Sequence, residues 1–305
     1  MLKFYKKIKP VLAFSDLGCQ TSEEKHYPVR CLCEYLHLSR GAYYRWLKNP
    51  VSYSEKQNRE IAEKIRAIHE YHPDMGYRRI RDELDRHHDI HVNDKRILRI
   101  CRKEHVQSTI KWKPKSCTKN SNDPAHIAKN YLNRDFHADA PNEKWLTDVT
   151  EFKYYIGVEI RKVYLSAILD LYDRRIVAFV ISDHNDNPLV MNTFDAAVAL
   201  EPEAHPLFHS DRGFQYTSKP FSAKLKKYHM KQSMSRVAHC IDNGPMEGFW
   251  GILKREMYYG KRFTSKTELI YTIESYIRYY NTERIQRKLH LMTPVEYHNC
   301  YDTAA

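Results

Sequence analysis

Apolar residues recur at helical spacing through the first third of the chain and give way to strand-like runs after Pro141. The segment "PVRCLCEYLHLSRGAYYRWLKN" predicts a helix over 29–35, a turn, and a second helix opened by Ser39 as N-cap. Two short helices joined by a tight turn have the form of a helix-turn-helix. Further helices are expected over 54–71, 77–87 and 93–103, with breaks at Pro50, Pro73 and Gly76. In the last of these Ile97, Ile100 and Cys101 form one apolar side, which leaves Arg96, Arg99, Arg102 and Lys103 to the others.

Beyond Pro141, "EKWLTDVTEFKYY", "KVYLSAILDLY" and "RRIVAFVIS" are β-rich runs parted by turns around Gly157 and at Asp173-Arg174. An amphipathic helix "PLVMNTFDAAVALE", a strand "PLFHSD", a helix "SKPFSAKLKKYHM" and a strand "KQSMS" follow, and helical patterns over 245–259 and 266–280 close the series. The order β-β-β-α-β-α-β-α predicts an α/β fold, a mixed sheet with helices on both faces, preceded by an all-α region. The expected organisation is a helical region over 1–110, a basic linker over 111–140 and the α/β domain over 141–305. No internal repeat of 20 to 50 residues interrupts it.

Charge adds a partner to this outline. The chain of 305 residues carries a formal +12, which favours polyanions. Residues 76–120 hold 13 Lys and Arg against 6 Asp and Glu, so 13 − 6 = 7 of those charges fall in about one-seventh of the length. With Tyr77 and Trp112 interleaved, the excess points to a phosphate-contacting surface in which Arg78, Arg79, Arg96, Arg99 and Arg102 are the candidate DNA contacts; a solvated helix face is the ordinary alternative. "KWKPKSCTKNSNDP" reads as a linker or a strap that tracks DNA.

The longest clean apolar run, "IVAFVI", is far short of the roughly 20 residues that span a bilayer. The start of the chain lacks a signal peptide's apolar stretch, so a cytoplasmic protein without a membrane partner is expected. The seven cysteines include no C-x-x-C pair, and "DRHHDIH" at 85–91 reads as a solvated helix end rather than a metal site.

Three carboxylates stand out against this background. Asp148 interrupts the first strand on the side shared by Leu146, Thr150 and Phe152, where an edge-exposed Asp bonded to Thr150 is the ordinary explanation. Asp211, in "HSDRGFQY", follows the fourth strand; it is either a turn residue or one of the groups that open α/β sheets gather at that end. Glu247 occupies a helix's first turn behind Pro245, where it can serve merely as a cap. The predicted topology brings all three to one sheet edge. Like charges there repel unless cations neutralise them, and oxygen ligands of this type select Mg²⁺ or Mn²⁺, with two ions able to support in-line attack on phosphate.

"WLTDVTEF", "HSDRGFQYTS" and "SMSRVAHCIDNGPMEGFWGILKREMYY" resemble the three signature blocks of the DDE transposases of bacterial insertion sequences, relatives of the retroviral integrases. The interval between Asp211 and Glu247, 247 − 211 − 1 = 35 residues, is the one that names the family's pattern. The tail "YYNTERIQRKLHLMTPVEY" and the segments "YPVRCLCEYLHLSRGAYYRWLK" and "HPDMGYRRIRDEL" extend the resemblance over about residues 27–298. It implies a ribonuclease H-like integrase core, with Asp148, Asp211 and Glu247 as catalytic metal ligands for two Mg²⁺ (or Mn²⁺) ions. It also implies that Lys254, seven residues past Glu247 and on the same helical face, is a DNA contact.

The implied activity is cleavage and strand transfer at element ends, with double-stranded DNA as partner, both element end and target. A homo-oligomer on DNA and a nucleoid-associated location follow. The resemblance is to the second-reading-frame product of elements whose full transposase arises by ribosomal frameshifting, so an upstream-frame DNA-binding polypeptide is a further expected partner. The chain departs from the pattern at Gly244 and Gly248, neither of which removes an acid. A catalytically inactive DNA-binding regulator or transposon remnant is the alternative reading. Asp170, Asp173, Asp183, Asp186 and Asp242 are expected in turn, capping or supporting roles.

Overall fold

A computed structural model describes residues 29–48, 51–110, 127–236 and 240–304; the greater part of the expected basic linker, 111–126 with Trp112, lies outside the described residues. The described residues up to Tyr71, with Arg99–Val106, form one compact unit, and His72–Leu98 with the residues from Gln107 onward form the other.

In the first unit α1 (Val29–Tyr35) and α2 (Arg40–Lys48) lie where the pattern puts them, and the Ser39 hydroxyl accepts the Ala42 N–H at 3.1 Å as the expected cap. Helix α3 (Tyr53–Tyr71) buries Ile61, Ala62, Ile65 and Ile68, one stripe at helical spacing. Helix α4 (Tyr77–His88) belongs to the second unit. Helix α5 (Asp94–Lys103) continues from the second unit into the first and buries Ile97, Ile100 and Cys101.

The second unit is built on a five-stranded mixed sheet. Strands β1 (Lys144–Ile156), β2 (Glu159–Asp170) and β3 (Ile176–Ser182) form an antiparallel meander, turning at Gly157, whose φ is 61°, and again before Ile176. Helix α6 (Asn187–Leu200) leads to β4 (Leu207–Ser210), and α7 (Lys219–Lys227) to β5 (Lys231–Met234). Both short strands pair in parallel, β4 with β1 and β5 with β4, giving the order β3-β2-β1-β4-β5 of a ribonuclease H-like sheet.

Alternation along β1 divides the core in two. Trp145 joins Phe194 and Ala197 of α6, Phe208, and Phe221 and Leu225 of α7 on one face. Leu146, Phe152 and Tyr154 join, on the other face, Met246, Phe249, Trp250 and Leu253 of α8 (Gly244–Leu253) and Leu269, Ile273 and Ile277 of α9 (Lys266–Thr282). Past Leu253 the helical path widens to a π turn, Lys254–Tyr258, closed by the Tyr259 N–H donating to the Lys254 carbonyl at 2.7 Å. The chain ends in α10 (Pro294–Ala304), a helix the apolar pattern does not announce.

Asp186 caps α6, its carboxylate accepting the Leu189 N–H at 3.1 Å, and Asp183 pairs with Lys266 at 2.5 Å. Asp173 accepts the Arg175 N–H at 2.8 Å in the β2–β3 turn and lies 2.7 Å from His298. Asp186 and Asp173 thus take the capping and turn roles expected of them, and Asp183 a supporting ion pair. Phe194 meets Phe208, Phe221 and Tyr228 edge-on, with ring centroids 5.5–6.0 Å apart. Phe194→Ala therefore leaves a cavity under β4, and urea unfolding should report a loss of about 3–5 kcal/mol.

Candidate active site

The parallel register decides where the first two acids fall. Leu146 pairs with His209 as the last residues of the β1–β4 ladder, so Asp148 and Asp211 come two residues further on in each strand's direction. His209 fixes the exit of the chain from β4. It is fully buried between the Ser233 and Ser235 hydroxyls, at 2.8 and 3.1 Å, and burial pushes its imidazole down to about 4. The Ser235 N–H donates to the Ser210 carbonyl at 2.9 Å, which joins the ends of β4 and β5 just before Asp211.

Asp211 is indeed in a turn. Its Oδ1 accepts the Gly213 N–H at 2.8 Å, and a Cβ at Gly213 would meet that same Oδ1 at 3.0 Å and Gln215 Oε1 at 2.9 Å. The glycine is needed for close approach, and the turn aims the carboxylate rather than replacing its function. Asp211 stands exposed at the rim. Protein mass behind it raises its carboxyl above the ordinary range, an effect tempered by the open water in front.

Asp148 points to the α8 face, but its partner is not the Thr150 hydroxyl that sequence reasoning offered. Its Oδ2 accepts the Trp250 indole N–H at 3.0 Å and its Oδ1 the Val149 N–H at 2.8 Å. The residue keeps some contact with solvent, yet protein crowds the carboxylate on its other sides. Burial first, then the charge of Asp211 and, more weakly, of Glu247 raise its carboxyl to about 7.

Glu247 is exposed in the first turn of α8. The helix start is held from two directions: the Asn243 side-chain amide donates to the Thr147 carbonyl at 3.1 Å, one residue before Asp148, and the buried Asp242 anchors the turn ahead of it. Asp242 accepts from Arg236 Nε at 2.9 Å, Arg134 Nε at 2.7 Å and Asn130 Nδ2 at 3.1 Å, and the Arg236 bonds above all hold its carboxyl well below the usual carboxylate range.

A raised carboxyl is not by itself diagnostic. Asp170 is also pushed to about 7, by burial and then by Asp173, but it is fully buried and accepts from the Asn142 and Tyr172 N–H groups and the Trp145 indole. It closes the β2–β3 turn and faces no solvent. Among the described residues no group of three or more His, Cys, Asp or Glu side chains lies close enough to hold a metal ion as the side chains now stand. The three acids nevertheless form an all-oxygen donor set whose repulsion is already registered at Asp148, which suits a hard divalent cation. Ligation requires the carboxylates to close up from their present bonds to Trp250, Val149 and Gly213.

Lys254 keeps its expected face, because α geometry persists to Leu253 and Lys254 itself has φ −63° and ψ −36°. Its Nζ lies 5.2 Å from the Phe152 ring centroid, and burial lowers its pKa against the pull of Glu151 and Asp148. The candidate DNA arginines divide. Arg78, Arg99 and Arg102 are exposed and Arg96 is half-buried, whereas the Arg79 guanidinium turns inward to Asp74 at 2.8 Å, Glu256 at 3.1 Å and the Tyr279 hydroxyl at 2.8 Å. The parts that sequence reasoning missed are Trp250, Asn243 and the π turn. Trp250, three residues past Glu247 on one helical face, carried a readable signal.

The chain matches the model of the integrase core domain over residues 138–240, a second integrase core model over 247–300, and an HTH-like domain over 56–114. It is similar to the putative transposase InsK for insertion sequence element IS150 of Escherichia coli strain K12, 37% identical over 277 residues that cover 90% of this chain and 94% of that protein. It also resembles an uncharacterized transposase-like protein of Haemophilus influenzae, 41% identical over 208 residues, 68% of this chain and 94% of the relative. The HTLV-2 integrase catalytic core domain in complex with magnesium aligns with 20% identity and a TM-score of 0.41, covering 53% of this chain and 99% of that one.

Electrostatic crowding of Asp148 sets a stability test. A carboxyl raised by folding costs stability as pH climbs from its unfolded value near 4 to its folded value, and the cost stays constant above that. In metal-free protein Asp211→Asn keeps the acceptor for Gly213 and removes the like charge. Thermal melts should rise by about 2–4 °C at about pH 8, the shift per kcal/mol for a unit of this size, and hardly at all at about pH 5, where Asp148 is already neutral.

Proposed function

Since the chain belongs to the insertion-sequence transposases with an integrase core, a DNA-binding polynucleotidyl transferase family, we propose that Asp148, Asp211 and Glu247 are its catalytic acids. The observation that carries this assignment is geometric: the parallel β1–β4 pairing sets Asp211 level with Asp148, and the Trp250 and Asn243 bonds tie the helix that bears Glu247 to β1 at the same point. The three would hold two Mg²⁺ (or Mn²⁺) ions. Such ions, when bound, activate a water or hydroxyl and stabilise the leaving oxygen of a phosphodiester.

The chain's own groups orient the acids. Trp250 and the Val149 N–H aim Asp148, Gly213 aims Asp211, and Asn243 holds Glu247's helix to β1. Water would first free a 3′-hydroxyl at the element end, and that hydroxyl would then attack another phosphodiester, so no side chain need be joined covalently to DNA. Lys254, beside Asp148 and Phe152, suits a phosphate near the reacting bond. Arg78, Arg96, Arg99 and Arg102 suit the flanking duplex, and Arg79 serves the protein's own packing. Multimeric assembly on paired ends, fusion to an upstream-frame polypeptide and a cytoplasmic, nucleoid-associated location complete the reading. Among the described residues no helix is long and apolar enough to cross a membrane.

The test is joining of a labelled duplex bearing the element's terminal repeat, with and without Mg²⁺. Asp148→Asn should lower joining by about 1000-fold or more while a gel shift of the same duplex is retained. Unchanged joining in that variant would remove Asp148 from the mechanism, whereas wild-type binding without cleavage would favour a regulator. Arg99→Ala and Arg102→Ala should each flatten the dependence of log K on log salt by about one unit.

A further inference from the structure

The π turn behind α8 has at its centre a carboxylate that the mechanism above does not use. Glu256 is buried, with only 8% of its side chain exposed, and both its oxygens are engaged. Oε1 lies 2.8 Å from Arg284 Nη2 and 3.1 Å from Arg79 Nη1; Oε2 accepts from Arg284 Nε at 3.0 Å and from the Tyr276 hydroxyl at 2.7 Å. Burial alone would raise this carboxyl, but the bonds and charge of Arg284 and the charge of Arg79 bring it below the ordinary range. The same carboxylate thus gathers α4, through Arg79, and α9, through Tyr276, onto the turn that begins at Lys254.

A π turn is rare and persists only where its surroundings impose it. Here the imposing contacts converge on one residue, two positions after Lys254. An α-helical continuation would give up the bond from the Tyr259 N–H to the Lys254 carbonyl and re-phase every side chain beyond Lys254, drawing Glu256 off Arg79 and Arg284 and releasing the turn that holds the end of α8 in place.

We infer that Glu256 is the positioning residue for Lys254: by clamping the π turn to α4 and α9 it fixes the lysine beside Phe152 and Asp148. Neither Arg79 nor Glu256 touches DNA in this assignment. It also gives α4, within the HTH-like segment, a mechanical link to the integrase core, so that displacement of α4 would loosen the phosphate contact. The inference rests on the proposed role of Lys254.

A double-mutant cycle in the full chain separates the two claims. Lys254→Ala should lower joining of the labelled end duplex about tenfold or more and reduce the salt slope of binding by about one. Glu256→Gln should reproduce both effects and, in the Lys254→Ala background, add nothing further. No effect of Lys254→Ala would overturn the lysine's role itself. The expected Lys254→Ala loss, accompanied by losses that multiply in the double variant or by an unchanged salt slope in Glu256→Gln, would overturn the positioning role alone. Should Glu256→Gln fail to give a cooperative melt, Tyr276→Phe, which removes a single bond to Glu256, takes its place in the same cycle with the same criteria.

Discussion

The hydrogen bond from the Trp250 indole to Asp148 and the one from the Asn243 amide to the Thr147 carbonyl lash α8 to β1 at the point where like charge accumulates. Carboxylates near one another repel, and nothing in their own chemistry would keep them together. The frame does that work: two apolar layers press helices onto both faces of the sheet, and the polar ties locate one helix start against one strand. Burial first, and then that repulsion, raise the Asp148 carboxyl.

Asp148 and Asp170 show why perturbation and function are separate matters. Both carboxyls are driven to about 7 with burial as the chief cause. Asp170 is sealed in a turn by three donors, so its neutral or charged form serves only the turn. Asp148 feels the charge of an exposed Asp211 and an exposed Glu247, so its strain opens onto solvent.

The arginines make the same point for positive charge. Neighbours Arg78 and Arg79 are indistinguishable by composition, yet one stacks on Tyr77 at the surface and the other joins Asp74, Glu256 and Tyr279. Arg287 likewise spends its charge on Asp82 and Asp94, at 2.8 and 3.0 Å. A basic count therefore overstates a DNA surface wherever helices carrying arginine dock onto acidic partners.

Period, caps and turn residues were legible from the chain alone, because they depend on neighbours within a few positions. The helices of the first hundred residues, the three-stranded meander and the Ser39 cap are of this kind. The parallel pairing that sets Asp211 level with Asp148, the choice of Trp250 over Thr150 as partner, the π turn at Lys254 and the inward turn of Arg79 are not. The strand pairing, the Trp250 bond and the contacts of Arg79 with Glu256 and Tyr279 join residues separated by roughly sixty to two hundred positions, and the π turn is held by the same kind of remote partner; a local pattern carries no record of which distant group will neutralise a buried charge or accept its hydrogen bond. Sequence offered the acids as candidates; packing determined which carboxylates feel one another.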